Sequence, residues 1–182
     1  MTRTPTSRWR AFLAGLVLAL AVIAVDLGPR SLGSAAARPS SSTDLFAEET
    51  PGVAKLDPDL LEALRSAAAD AALDNVPLRV NSGWRSAAEQ NRLLRDAVAR
   101  HGSEDAAARW VATPETSPHV SGDAVDIGPP EAARWLSEHG GRYGLCQIYR
   151  NEPWHFELRA QAVTQGCPPL YANPTQDPRM RR

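Results

Sequence analysis

Helix signals crowd the first half of this chain and strand signals the second, and that segregation constrains its fold more than anything else in it. Asp57-Pro58 pairs an N-cap with a proline at the first helical position, and the leucines of the following LLEALRSAAADAALD recur at helical spacing. PLRVNSG then reads as a short strand ending near Asn81 at a glycine exit. Ser86 and Glu89 form a capping box that opens a second helix running to Gly102, which leaves Arg85 at a strand-to-helix corner. A short helix over Ser103–Val111 follows, and PPEAARWLSEHGG gives another, proline first and glycine last. AVDI, LCQIY and WHFEL read as strands. Helices mostly first and strands mostly later predict a small α+β domain with a central antiparallel sheet, not a parallel α/β fold.

Both flanks of that domain lack the apolar residues of a core. From Ser31 to Gly52 the chain is rich in Ser, Ala, Pro, Thr and Glu, and from Leu170 onward it is again polar and proline-punctuated. The expected organisation is a linker over 38–52, a folded domain over 53–169 and a disordered tail over 170–182. At 182 residues and 43% hydrophobic content, one core is the expectation, and a monomer with it.

The N-terminus has a separate purpose. Arg3, Arg8 and Arg10 precede an uninterrupted apolar run from Ala11 to Val25, shorter than the ~20 residues of a spanning helix and within the range of an export signal. SAAA at Ser34 to Ala37 suits cleavage after Ala37, although an uncleaved membrane anchor stays open because that site lies well beyond Val25. Cleavage would remove four arginines and Asp26, a net +3, taking the formal charge from −1 to −4. Neither value, with arginines scattered along the chain, suits a nucleic-acid partner. The domain is expected outside the cytoplasm, in the envelope or secreted. There the two cysteines, Cys146 and Cys167, most simply form a disulfide; zinc binding by both is the competing reading, but they are isolated and not a CxxC pair.

Four histidines test for chemistry. His101 and His139 each stand before a glycine at a predicted helix end, where the carbonyl end of the dipole explains them. His119, in a Ser/Pro/Gly stretch, and His155, in EPWHFEL, have no such explanation. With Asp126 they make two imidazoles and one carboxylate, the protein ligands of a catalytic zinc whose fourth position is open. Gly122 turns the chain so that His119 comes back toward Asp126, which AVDI holds on a strand. Glu152 precedes a proline, so it is extended and not helical, and it leaves a carboxylate near His155 able to act as a base. Arg85 suits an anionic substrate group or a developing oxyanion, and equally a salt bridge at a helix start. Two other readings of the set remain: a structural ion cluster around a buried Asp126, and the non-haem iron triad. Iron sites usually place the first histidine and the carboxylate two apart, against seven here.

Ser117-Pro118-His119-Val120-Ser121-Gly122-Asp123-Ala124-Val125-Asp126 resembles the SxHxxGxAxD motif of the VanY-type D-alanyl-D-alanine carboxypeptidases, a zinc metallopeptidase family. Glu152-Pro153-Trp154-His155 is similar to its ExWH motif, and Ser82-Gly83-Trp84-Arg85-Ser86 to its SGYRS, with tryptophan for the usual aromatic. The three motifs span about Leu78 to Leu158. The resemblance implies one zinc ion on His119, Asp126 and His155, Glu152 as general base and Arg85 near the substrate carbonyl or carboxylate. It implies Ser117, Gln90 and Trp154 as substrate contacts, a hedgehog/LAS-like α+β fold, and peptidoglycan stem peptides ending in D-alanine as substrates. An L,D-carboxypeptidase, an endopeptidase on cross-links and a non-catalytic wall-binding module are the alternatives.

Overall fold

The computed structural model describes residues 51–180, so the export segment and nearly all of the expected linker lie outside the described residues. The first described element, α1 (Pro51–Ala54), starts before the expected domain boundary, and there the Gly52 carbonyl accepts the Trp84 N–H at 2.8 Å. α2 (Pro58–Leu73) starts as its sequence dictates: the Asp57 carboxylate accepts the N–H groups of Asp59 and Leu60, both at 3.0 Å. β1 (Arg79–Ser82) leads to α3 (Ala87–His101), capped by the Ser86 hydroxyl on the Glu89 N–H at 3.2 Å and ended by Gly102. The helix expected over 103–111 is shorter, a single turn α4 (Glu104–Ala107) followed by turns.

One further turn, α5 (Pro118–Ser121), carries His119 where a loop was expected. It ends at Gly122, whose φ is +90°, and a Cβ there would stand 2.5 Å from the Lys55 carbonyl oxygen. Only glycine meets both conditions. Then come β2 (Ala124–Gly128), α6 (Pro130–His139), β3 (Leu145–Gln147), β4 (His155–Leu158) and α7 (Ala162–Gln165).

The strands form one sheet, ordered β1-β2-β4-β3, with every neighbouring pair antiparallel. The domain is thus α+β with a central antiparallel sheet. Alternation along the strands divides its two faces. Val125, Ile127 and Phe156 join Leu60, Leu64 and Leu136 of α2 and α6 in the buried core. Asp126, His155 and Glu157 point the other way, and the register makes Asp126 the direct partner of His155, and Ala124 that of Glu157.

Cys146 and Cys167 form a disulfide that ties β3 to the segment after α7. The expectation of a disordered tail over 170–182 does not hold for its described part. Tyr171 bridges Tyr149, and two 3-10 turns, Pro174–Gln176 and Pro178–Met180, follow. Composition misled because this segment is fastened by ion pairs and hydrogen bonds instead of apolar burial: Asp177 is fully buried against Arg179 and Tyr149. Among the described residues no helix is long and apolar enough to cross a membrane.

Candidate metal centre

The turn of α5 and the register of β2 with β4 bring His119, Asp126 and His155 together. His119 Nε2 lies 3.3 Å from His155 Nδ1 and 3.4 Å from Asp126 Oδ1, and the latter two are 3.5 Å apart. Ligand atoms about 2.0–2.1 Å from a tetrahedral zinc stand roughly 3.3 Å from one another. The three atoms therefore already outline one face of such a tetrahedron.

Each imidazole has its second nitrogen committed. His119 Nδ1 donates to the Gly83 carbonyl at 2.8 Å, because a carbonyl can only accept, which leaves Nε2 with its lone pair toward the site. His155 Nε2 donates to Glu157 Oε1 at 3.1 Å, directing Nδ1 inward. Asp126 Oδ1 is buried with no hydrogen-bond partner, while Oδ2 accepts from Arg85 Nη2 at 2.7 Å. An orphaned carboxylate oxygen between two oriented lone pairs fits a metal cation.

The electrostatics agree with that arrangement. Burial works against the charge of Asp126, but the imidazoles of His119 and His155 beside it outweigh that and hold its carboxyl well below the usual range. Burial lowers the pKa of His119. Burial also disfavours charge on His155, yet the Asp126 and Glu157 carboxylates prevail and push it up to about 9.

Glu152 and His155 close a turn through a 3.0 Å bond from the His155 N–H to the Glu152 carbonyl, which brings Glu152 Oε2 within 3.9 Å of His155 Nδ1. Its Oε1 is buried without a partner, and burial raises its pKa to about 7. Such a carboxylate can take up and return a proton near neutral pH.

Arg85 forms a salt bridge, as its simpler reading required, but with Asp126 itself and not at a helix surface. Nε donates to Ser82 Oγ at 2.8 Å and Nη1 to Gln90 Oε1 at 3.2 Å. Nη2 also lies 3.5 Å from His119 Nε2, so of the five N–H donors of the guanidinium one, on Nη1, remains. Gln90 is buried, and its Nε2 donates to the Ala112 carbonyl at 2.9 Å, so its amide braces Arg85. Ser117 is buried and Trp154 is 41% exposed; both line, with the histidines and Glu152, a cavity of ≈ 480 Å³. Glu157 escaped the sequence reading. The available signal was its position two residues after His155 on a strand, hence on the same face.

A family model described as VanY, D-alanyl-D-alanine carboxypeptidase, matches residues 53–161. A D-alanyl-D-alanine carboxypeptidase of Enterococcus faecalis is 33% identical over 123 residues, covering 54% of this chain and 43% of its own length. The chain thus spans less than half the length of that curated relative. Among solved structures, the vancomycin resistance D,D-pentapeptidase VanY from a VanB-type cassette, a variant in complex with Zn(II), is similar with a TM-score of 0.57 and 30% identity, over 60% of this chain and 76% of that one. VanYB in complex with D-alanine-D-alanine gives 0.56 and 28% over 61% and 78%. An L,D-carboxypeptidase of Streptococcus pneumoniae, DacB, gives 0.51 and 26% over 61% and 71%.

Proposed function

The chain belongs to the VanY family of D-alanyl-D-alanine carboxypeptidases, and on that premise we propose that it is an exported zinc peptidase that removes the C-terminal D-alanine of peptidoglycan stem peptides. The observation that carries the metal assignment is the set of three ligand atoms, 3.3–3.5 Å apart, with each histidine's other nitrogen already committed. Iron is disfavoured by the spacing of the ligands in the chain. The relatives bound to Zn(II) and to D-alanine-D-alanine support the choice of metal and substrate class.

His119, Asp126 and His155 would hold one zinc ion, which supplies Lewis acidity for the scissile carbonyl and the attacking water. Glu152, poised near pH 7, takes the proton of that water and delivers it to the leaving amine. Arg85 offers its remaining N–H group to the developing oxyanion or the substrate's terminal carboxylate. Ser117, Gln90 and Trp154 line the same cavity and meet the stem peptide, and Gln90 also braces Arg85. The enzyme works as a monomer in the envelope or outside the cell, delivered by the N-terminal segment 1–37.

Pentapeptide and tetrapeptide stems incubated with the enzyme, with and without a chelator, test this by product mass. Loss of one D-alanine from the pentapeptide only, abolished by the chelator, is expected. Trimming of the tetrapeptide alone would transfer the enzyme to L,D specificity, and cutting inside cross-linked stems would make it an endopeptidase. Binding without hydrolysis would leave a wall-binding module.

A further inference from the structure

We infer that the C-terminal segment is a working part of the candidate metal centre: Arg179, acting through Glu157, sets the orientation of His155. The inference rests on the metal-site reading above. Its starting point is an energetic oddity, since Glu157 and Asp177 are both fully buried. Buried carboxylates are unfavourable unless paired and hydrogen-bonded, and these two are bound to one another's partner.

Glu157 Oε1 accepts from His155 Nε2 at 3.1 Å, and Oε2 from Arg179 Nη1 at 2.6 Å and Arg159 Nη2 at 2.5 Å. Arg179 Nη2 also reaches Oε1 at 3.3 Å, so its fork spans both oxygens. Asp177 holds Arg179 Nε at 3.1 and 3.0 Å and accepts the Tyr149 hydroxyl at 3.0 Å. The Tyr149 ring in turn lies 5.1 Å from the His155 ring. Two routes therefore lead from Asp177 to one imidazole, the first ending on its N–H edge and the second on its ring.

A carboxylate that accepts the free N–H of a metal-binding histidine fixes the tautomer and makes the other nitrogen a better donor. Which way that carboxylate faces depends on its own partners. Without Arg179, Glu157 would keep, among the described residues, only Arg159, just past the end of the same strand, as a cationic partner besides His155. Arg179 touches neither a candidate ligand atom nor the cavity's reacting end, so it is a positioning residue.

Chelator competition on the full chain measures this directly as a zinc dissociation constant, for wild type, Arg179→Met, Arg179→Lys, Asp177→Asn and Leu64→Ala, each beside its unfolding midpoint without metal. Arg179→Met should weaken zinc binding about tenfold or more. Arg179→Lys, which keeps the charge without the fork, should fall between it and wild type. Asp177→Asn should weaken binding by a smaller factor, and Leu64→Ala, destabilised in the core on the opposite face, should keep wild-type affinity. Unchanged affinity in both Arg179→Met and Asp177→Asn overturns the inference, as does an equal loss in Leu64→Ala. If Arg179→Met fails to fold, Asp177→Asn against Leu64→Ala decides on its own. A wild type that binds no zinc overturns the metal-site reading, and this inference with it.

Discussion

The two histidines of the site stand 3.3 Å apart, yet they are held by opposite means. His119 hangs from the backbone: a helical turn closed by Gly122 aims it, and the Gly83 carbonyl fixes its proton. His155 is held by charge, through a buried glutamate and two arginines, one inside the disulfide loop and one beyond it. A neutral anchor leaves an imidazole's basicity nearly alone, while an anionic one raises it. The same ligand role is thus built once from local chain geometry and once from a tertiary ion network.

The largest expected effect sets the baseline for both anchors. Glu152→Gln should lower turnover by roughly 10²- to 10⁴-fold while leaving zinc affinity as it was, because the role proposed for Glu152 is that of a base and not a ligand. If steady-state assays showed near-normal turnover, the base would have to be sought elsewhere. Metal titrations across pH address the two histidines directly. His155, pushed up to about 9, keeps a proton that zinc must displace, so zinc affinity should rise about tenfold per pH unit until pH approaches 9. His119, lowered by burial, should add no such slope near neutral pH. A flat profile would erase the distinction between them.

The neutral anchor can be broken by a single methyl group. A Cβ on Gly83 would stand 2.0 Å from the Gly52 carbonyl oxygen, so Gly83→Ala must move the backbone segment whose carbonyl holds His119. Denaturant titration should show a loss of about 1–3 kcal/mol, with weakened zinc binding. The charged anchor should instead fail in acid. Burial opposes the charge of Glu157, but hydrogen bonds from His155 and Arg179 hold its pKa below the ordinary 4.5, and Asp177 is likewise lowered through Arg179. Their contribution is full above the unfolded value and is lost as pH falls through the depressed folded ones. Glu157→Gln should flatten the stability profile in that acid range. The smallest effect is expected for Gln90→Leu, which loosens Arg85: a severalfold rise in KM with zinc affinity intact, measured by steady-state kinetics.

The unequal anchors also explain what could be read in advance. Asp57-Pro58, the Ser86 capping box and the glycines act over a few residues, so helix starts and the turn under His119 were visible in the chain. The alternation in AVDI and WHFEL revealed the sheet, because strand faces follow a period of two. Arg179 and Glu157 are 22 residues apart and meet only in the folded chain, so no local pattern joined them. For the same reason a polar, proline-rich segment looked unstructured when its stability comes from ions held at a distance.

The pairing of Asp126 with His155 across β2 and β4 makes metal capture a form of proofreading. A slip of one residue between those strands would present Val125 or Phe156 where a ligand belongs, and no partial site would survive. A nascent domain that can hold zinc has therefore already chosen its correct strand alignment. The ion would then stabilise that alignment over its neighbours, so the availability of metal would govern how much of the chain reaches its correct register.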